Sequence, residues 1–342
     1  MLDPETDVCG KERPHAVSKG ADRTVFRHIL ACLAPSPSSH AVLAHAVALA
    51  SRTDARLTLI RVLEPAPGHI PADPVEWMLR HYDMEAELRE LAASHTEFNA
   101  DAVVIDGPPA ESICDWARDN DVDLAVLGAR DHGDWQTGGL GGTSRRIAET
   151  IGSSVLLVPA TEMSSRPVRY RLVMTPLDGS SRSECALPVA LGIADLHEAA
   201  FLLVHALPTI GLTETGPLEA EAIDLRDRLS RRNERVAEQY LRQVRSRLPN
   251  TLTSTRTRVL ASEDSRHALA RAATEDRTDI IVLSPTGLGR HADISVGSVA
   301  DYLINHADKP ILLVRGREQP SWPHIRCCGD TRTSRLPSRA LK

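Results

Sequence analysis

The feature that most constrains this chain is a run of five aliphatic segments that occurs twice, in the same order. Ile29-Leu30-Ala31-Cys32-Leu33 and Val173-Met174-Thr175-Pro176-Leu177 lie 144 residues apart, as do Leu57–Val62 and Phe201–Ala206. Val104-Ile105 and Val259-Leu260 are separated by 155 residues. Asp123–Leu127 and Asp279–Leu283, and then Val155–Val158 and Ile311–Val314, are separated by 156. Such self-similarity predicts two collinear domains, and a length of 342 residues suits two cores better than one. The step from 144 to 155 places roughly eleven extra residues between the second and third segments of the second repeat.

Short, near-continuous aliphatic runs suit strands buried on both faces of a parallel sheet. The stretches between them read as helices. Leu218, Ile223, Leu225, Leu229, Val236, Tyr240, Val244 and Leu248 recur at helical spacing among many charges and account for the insertion. Pro188 falls in the first helix of the second repeat and predicts a kink or a late start. The expected fold class is α/β: two doubly wound, Rossmann-like domains, each a five-stranded parallel sheet flanked by helices. Such folds bind ligands beyond the carboxyl ends of their strands, where the strand order reverses. The expected boundaries are a polar tail at 1–24, a domain at 25–160, a linker at 161–167, a domain at 168–316 and a disordered tail at 317–342. The last tail carries six Lys or Arg against two acids, and both tails lack periodicity.

Aromatic residues make up 3% of the chain, so aliphatic side chains must fill the cores. A formal charge of -6 gives no reason to expect nucleic acid or anionic lipid as a partner. The best apolar run, Ala41 to Ala50, is interrupted by His45 and falls short of the ~20 residues a membrane span requires. The N-terminus has no apolar core of a secretory signal. The six cysteines form no CxxC pair, which argues against a zinc site or a disulfide framework and suits a reducing cytoplasm.

The most informative loop follows the fourth strand of the second repeat: Ser284-Pro285-Thr286-Gly287, then nine residues, then Gly297-Ser298-Val299. Glycines let backbone N–H groups approach an anion, and a helix opening near Gly297-Ser298 directs its positive end there. The loop is neither a Walker A loop nor a GxGxxG fingerprint after a first strand. A tight turn with an ordinary cap remains the plain alternative. Asp178 could equally cap the helix that follows it. Arg290 and His291 sit in the nine-residue stretch, where an exposed loop is the simpler reading. The same holds for Asp131, His132 and Asp134 as metal ligands, and for Cys327-Cys328 as a redox pair. His205, on an aliphatic strand, reads as a satisfied core histidine.

The loop resembles the ATP-binding signature of universal stress proteins, Gly-x2-Gly-x9-Gly-Ser/Thr, with Ser284 in place of the first glycine and Gly287, Gly297 and Ser298 matching. The first strand of this repeat ends in Pro-x-Asp-Gly-Ser, also as in that family, with Asp178 in place. The resemblance covers about 25–160 and 168–316. It implies ATP as ligand, with Mg²⁺ as its natural companion. The adenosine would meet Pro176, Asp178, Ala206 and Val259 or Leu260. The phosphates would meet Gly287, Gly297, Ser298 and Val299, with Ser284 at the turn. In the first repeat, Ala34 stands where the aspartate belongs and Asp131 replaces the second glycine. Gly141-Gly142-Thr143 closes that loop. A carboxylate beside phosphates is unfavourable, so this half is expected to bind ATP poorly.

No nucleophile–base pair, paired carboxylate or metal cluster is visible, so nothing beyond slow ATP hydrolysis is expected. The pyrophosphatase-type Ser-Gly-Gly-x-Asp-Ser loop of related hydrolases is absent. The expected function is an ATP-binding stress-response protein with an unidentified protein partner. In the family, last strands often pair across a dimer. The resemblance implies that Val155–Val158 and Ile311–Val314 could pair within one molecule, burying two sheet edges, with a further homodimer open. The alternative is a scaffold that binds no nucleotide and offers its grooves to protein or apolar ligands.

Overall fold

The computed structural model describes residues 25–315, apart from 37, 54, 65–72, 95–99, 130–139, 160–166, 210–219, 250–253 and 288–295. Both tails, nearly all of the linker, Asp131, His132, Asp134, Arg290, His291 and the Cys327-Cys328 pair lie outside the described residues.

Each aliphatic run becomes a strand. The N-terminal half contains β1 (His28–Cys32), α1 (Ser38–Ala50), β2 (Arg56–Leu63), α2 (Pro74–Ser94), β3 (Ala100–Asp106), α3 (Pro109–Asp119), β4 (Leu124–Gly128), α4 (Gly142–Thr150) and β5 (Ser154–Val158). The C-terminal half contains β6 (Leu172–Pro176), α5 (Ser181–Glu184), α6 (Leu187–His197), β7 (Ala200–Pro208), α7 (Ala220–Ser246), β8 (Thr255–Ser262), α8 (Ser265–Glu275), β9 (Ile280–Leu283), α9 (Ser298–His306) and β10 (Ile311–Leu313). The strands form one ten-stranded sheet in the order β3-β2-β1-β4-β5-β10-β9-β6-β7-β8. Every pairing inside a half is parallel. The strand order therefore reverses between β1 and β4 and between β6 and β9, the doubly wound plan expected from the repeats.

The halves meet where β5 and β10 pair antiparallel, with Leu156 opposite Leu312, Leu157 opposite Ile311 and Val155 opposite Leu313. The expected intramolecular pairing is therefore present, and it uses two strands that would otherwise be open edges. Alternate residues feed two apolar layers. Ile29, Leu57, Leu59 and Val173 face one layer, beneath α1, α2, α6 and α7. Leu30, Ile60 and Met174 face the other, beneath α3, α4, α8 and α9. The duplication extends to single hydrogen bonds. Asp123 accepts from the N–H groups of Arg27 and His28 at 2.8 and 3.1 Å, and Asp279 accepts from those of Arg171 and Leu172 at 2.6 and 2.9 Å. Each carboxylate pins the start of its half's first strand to its fourth.

Pro188 enforces a late start. α5 is a single turn, and α6 begins at Leu187 with the proline in its first turn, where no N–H is required. α7 stands where α2 stands in the N-terminal half, and it is the longer of the two, 27 residues against 21. The insertion therefore lengthens this segment and does not add an element. Leu241 and Val244 are buried against the sheet, and Leu218 lies outside the described residues.

Side-chain contacts also lock the halves together, among them Arg52 to the Leu196 carbonyl at 2.7 Å and the Leu140 N–H to Asn305 at 3.1 Å. His45 of α1 shares a 2.7 Å hydrogen bond with the Tyr170 hydroxyl, and the ring of His197 from α6 lies 4.7 Å from the Tyr170 ring. Beyond β10, Arg315 reaches across to α4. Its guanidinium donates to the carbonyls of Ile151, at 2.5 Å, and Ala148. Those carbonyls belong to the C-terminal end of the helix, where a cation is favoured. Arg315→Met is expected to leave them unpartnered and to lower unfolding free energy by about 1–3 kcal/mol, measurable by urea denaturation. Among the described residues, no helix is long and apolar enough to cross a membrane.

Candidate functional site

A cavity of about 370 Å³ opens beyond the carboxyl ends of β6, β7 and β9, at the point where strand order reverses in the C-terminal half. Pro176 and Asp178 border it after β6, and Ala206 after the middle of β7. Ser284 and Gly287 border it from the loop after β9, and Gly297, Ser298 and Val299 from the start of α9. These residues are brought together as the family resemblance implied. Val259 and Leu260 are not among the lining residues. Neighbouring strand residues point to opposite faces, so Val259 packs on the α7 side of the sheet while Leu260 sinks into the other core layer beside Ala206.

Asp178 is held by its own turn. Its Oδ1 accepts from the Ser180 N–H at 2.9 Å and from the Ser180 hydroxyl at 2.6 Å. The turn is completed by Gly179 at φ 84°, the left-handed region that glycine enters freely. The cap of the following helix is Ser180, which accepts from the Ser183 N–H, so Asp178 acts two residues before the cap. Its other oxygen faces Gly287. A Cβ built at position 287 would lie 2.1 Å from Asp178 Oδ2, so no larger residue fits while the aspartate keeps this position. The spacing rule and the aspartate are thus one feature, two loops in contact.

Gly297 plays a different part from the phosphate contact expected of it. Its N–H donates to the Pro285 carbonyl at 2.7 Å, which closes the loop and leaves that group engaged. The first N–H groups of α9, from Ser298 onward, are left without a capping side chain, because the cap is Gly297. The Ser298 hydroxyl makes no hydrogen bond among the described residues. Asp301, the one acid in the first turn, is drawn 3.4 Å from Arg145 of the N-terminal half. Ser284 does not crowd its turn; its hydroxyl donates to the Thr286 carbonyl at 2.9 Å and tightens the loop.

His205 is hydrogen-bonded, as expected, but stands at the cavity and not in the core. It lines the cavity, and its Nδ1 lies 2.7 Å from the Leu177 carbonyl, which can only accept. Nδ1 therefore carries the proton and Nε2 remains an acceptor. Burial lowers its pKa, opposed by the Leu177 carbonyl and the Asp178 charge. Its place at the carboxyl end of β7, one residue before Ala206, was the available signal.

The matching cavity of the N-terminal half is about 100 Å³. Ala34 brings no carboxylate to it, and the Ser144 hydroxyl donates to Gly128 at 2.8 Å. Where the other half has His205, this one has Arg61, paired with Glu87 at 2.7 Å. Asp131 lies outside the described residues. No group of three metal-ligating side chains occurs among the described residues.

The sequence profile of the universal stress protein family matches residues 26–159 and again 169–315. A universal stress protein of Mycobacterium tuberculosis is 24% identical over 196 residues, 57% of this chain and 63% of that protein. The chain thus spans less than two thirds of the curated relatives of that length that it matches. A universal stress protein of Thermus aquaticus is 28% identical over 146 residues, 43% of this chain and 99% of that one. The fold is similar to the crystal structure of a universal stress protein from Archaeoglobus fulgidus, with TM-score 0.60 and 16% identity over 87% of this chain and 100% of that one. It is also similar to a functionally unknown protein from Pseudomonas aeruginosa, with TM-score 0.59 and 15% identity over 86% and 94% of the two chains. With the profile matching both repeats, the chain belongs to the universal stress protein family.

Proposed function

We propose that the C-terminal half binds ATP, accompanied by Mg²⁺, and that occupancy changes the protein's contacts with a protein partner in a stress response. The observation that carries this reading is the fit of Gly287 against Asp178 at the mouth of a 370 Å³ cavity. That volume lies within the roughly 300–1,000 Å³ typical of ligand pockets. In this reading the base and ribose lie against Pro176, Ala206 and the Asp178 carboxylate. The phosphates lie at the start of α9, where backbone N–H groups and the Ser298 hydroxyl donate. The 100 Å³ cavity of the N-terminal half supports a packing role for that half. The three described cysteines, Cys32, Cys114 and Cys185, are unpaired, in keeping with a cytoplasmic setting.

Isothermal titration of ATP with Mg²⁺ into folded, nucleotide-free protein tests the proposal. Micromolar binding at one site per chain is expected. Asp178→Ala should weaken it about tenfold, through loss of one charged hydrogen-bond acceptor. Two sites per chain would overturn the assignment of the N-terminal half. No binding would leave the scaffold reading, in which the grooves receive protein or apolar ligands.

A further inference from the structure

Two helices carry large apolar side chains on the side turned away from the sheet. On α2, Val75, Met78, Leu79 and Tyr82 are each more than half exposed and recur at spacings of three and four, so they form one stripe. On α7, Leu225 and Val236 are more than half exposed, and Leu229 lies between them on the same side. Exposed stripes of this kind mark interaction surfaces. The two helices also carry opposite charge. α2 has five acidic residues against two arginines; α7 has seven arginines against five acidic residues. Pairs such as Arg89–Glu85 and Arg228–Asp224 use some of these groups. Glu76, Asp83 and Glu90 on α2, and Arg231, Arg232 and Arg235 on α7, enter no ion pair among the described residues.

One chain cannot satisfy both stripes by itself. α2 packs on β2 and β3 and α7 on β7 and β8, at opposite ends of the ten-stranded sheet. At ~4.8 Å per strand the two ends are about 43 Å apart. We infer that α2 of one copy docks along α7 of a second copy, Val75, Met78, Leu79 and Tyr82 meeting Leu225, Leu229 and Val236, with acidic and basic flanks aligned. One such contact leaves one α2 and one α7 open, and a second contact satisfies them, either closing a two-fold pair or adding a further copy. A seam of two or three turns is small for an interface, which makes the association reversible and weak.

Sedimentation velocity of the full chain tests this. The weight-average mass should rise between roughly 1 and 100 µM, and fall back in high salt. Leu79→Glu and Leu225→Glu, both surface changes, should each give a folded monomer by circular dichroism. Mixed together, they should form a one-to-one heterodimer that grows no further, because the first keeps an intact α7 and the second an intact α2. A charge swap provides an independent check. Arg232→Glu/Arg235→Glu and Glu76→Arg/Asp83→Arg should each abolish association alone and restore it when mixed. The inference is overturned by a wild-type monomer at the highest concentration, whatever other partner it captures. It is equally overturned by self-association that survives Leu79→Glu or Leu225→Glu, or by failure of the mixed variants to combine.

Discussion

Gly287→Val is expected to lower ATP affinity by roughly a hundredfold or more while leaving the rest of the chain folded. The branched side chain starts from a Cβ that would stand 2.1 Å from Asp178 Oδ2, well inside van der Waals contact. One of the two must move. Asp178 is tied to Ser180 by two hydrogen bonds, at 2.9 and 2.6 Å. The glycine loop should therefore yield, carrying the start of α9 away from the anion position. Titration calorimetry reads the loss, and an unchanged melting temperature separates it from unfolding. Gly287→Ala combined with Asp178→Gly should remove the collision without restoring the carboxylate, so the double variant should recover part of the affinity lost by Gly287→Ala alone. If Gly287→Val binds like the wild type, the two loops do not form the site.

The second large effect concerns acid. His197 is fully buried, neither ring nitrogen has a hydrogen-bond partner among the described residues, and burial lowers its pKa from 6.5 to about 4, with Arg52, Arg169 and His45 adding repulsion. The unfolded chain takes up a proton on this ring near pH 6.5, while the folded chain resists until about pH 4. Between those values the unfolded state binds more protons, so stability falls as pH falls; below pH 4 this contribution is flat. A shift of this size corresponds to about 3 kcal/mol lost from this one residue. His197→Leu should remove that slope and raise stability at neutral pH by about 1–2 kcal/mol, since two unsatisfied nitrogens disappear. Urea titrations at pH 7, 5.5 and 4.5 decide the matter. Equal slopes for variant and wild type would show that His197 is not held neutral.

The strands were legible because each is an unbroken aliphatic run, and a duplicated run carries its own control: Ile29 and Val173 predict each other. The β5–β10 seam was implied by the family resemblance, in which last strands often pair across a dimer; the repeat alone did not specify it. Asp178, Gly287 and Ser298 were legible because loop spacing, unlike side-chain direction, survives in linear sequence. Direction is what failed at Val259, where a single step along β8 changes the face. His205 was obscured because a histidine among aliphatic residues looks the same whether it faces the core or a cavity. The His45–Tyr170–His197 cluster had no local signal; the bond between His45 and Tyr170 joins residues 125 apart. Gly297 matched its motif, yet only the fold reveals that its N–H serves the loop and not an anion.

The antiparallel junction has a consequence for how the duplicated chain can diverge. Because β5 and β10 run in opposite directions, the carboxyl ends of the two strand sets point to opposite poles of the sheet. The clefts beyond those ends therefore open away from one another, with the whole width of the strands between them. Substituents lining one mouth never approach a molecule held in the other. One copy of the ancestral pocket is free to shrink, lose its carboxylate and fill with side chains while the second keeps its shape. A signal passing from pole to pole can use the strands or the contacts around α4 and α9, where Arg145 meets Asp301 and the Leu140 N–H donates to Asn305.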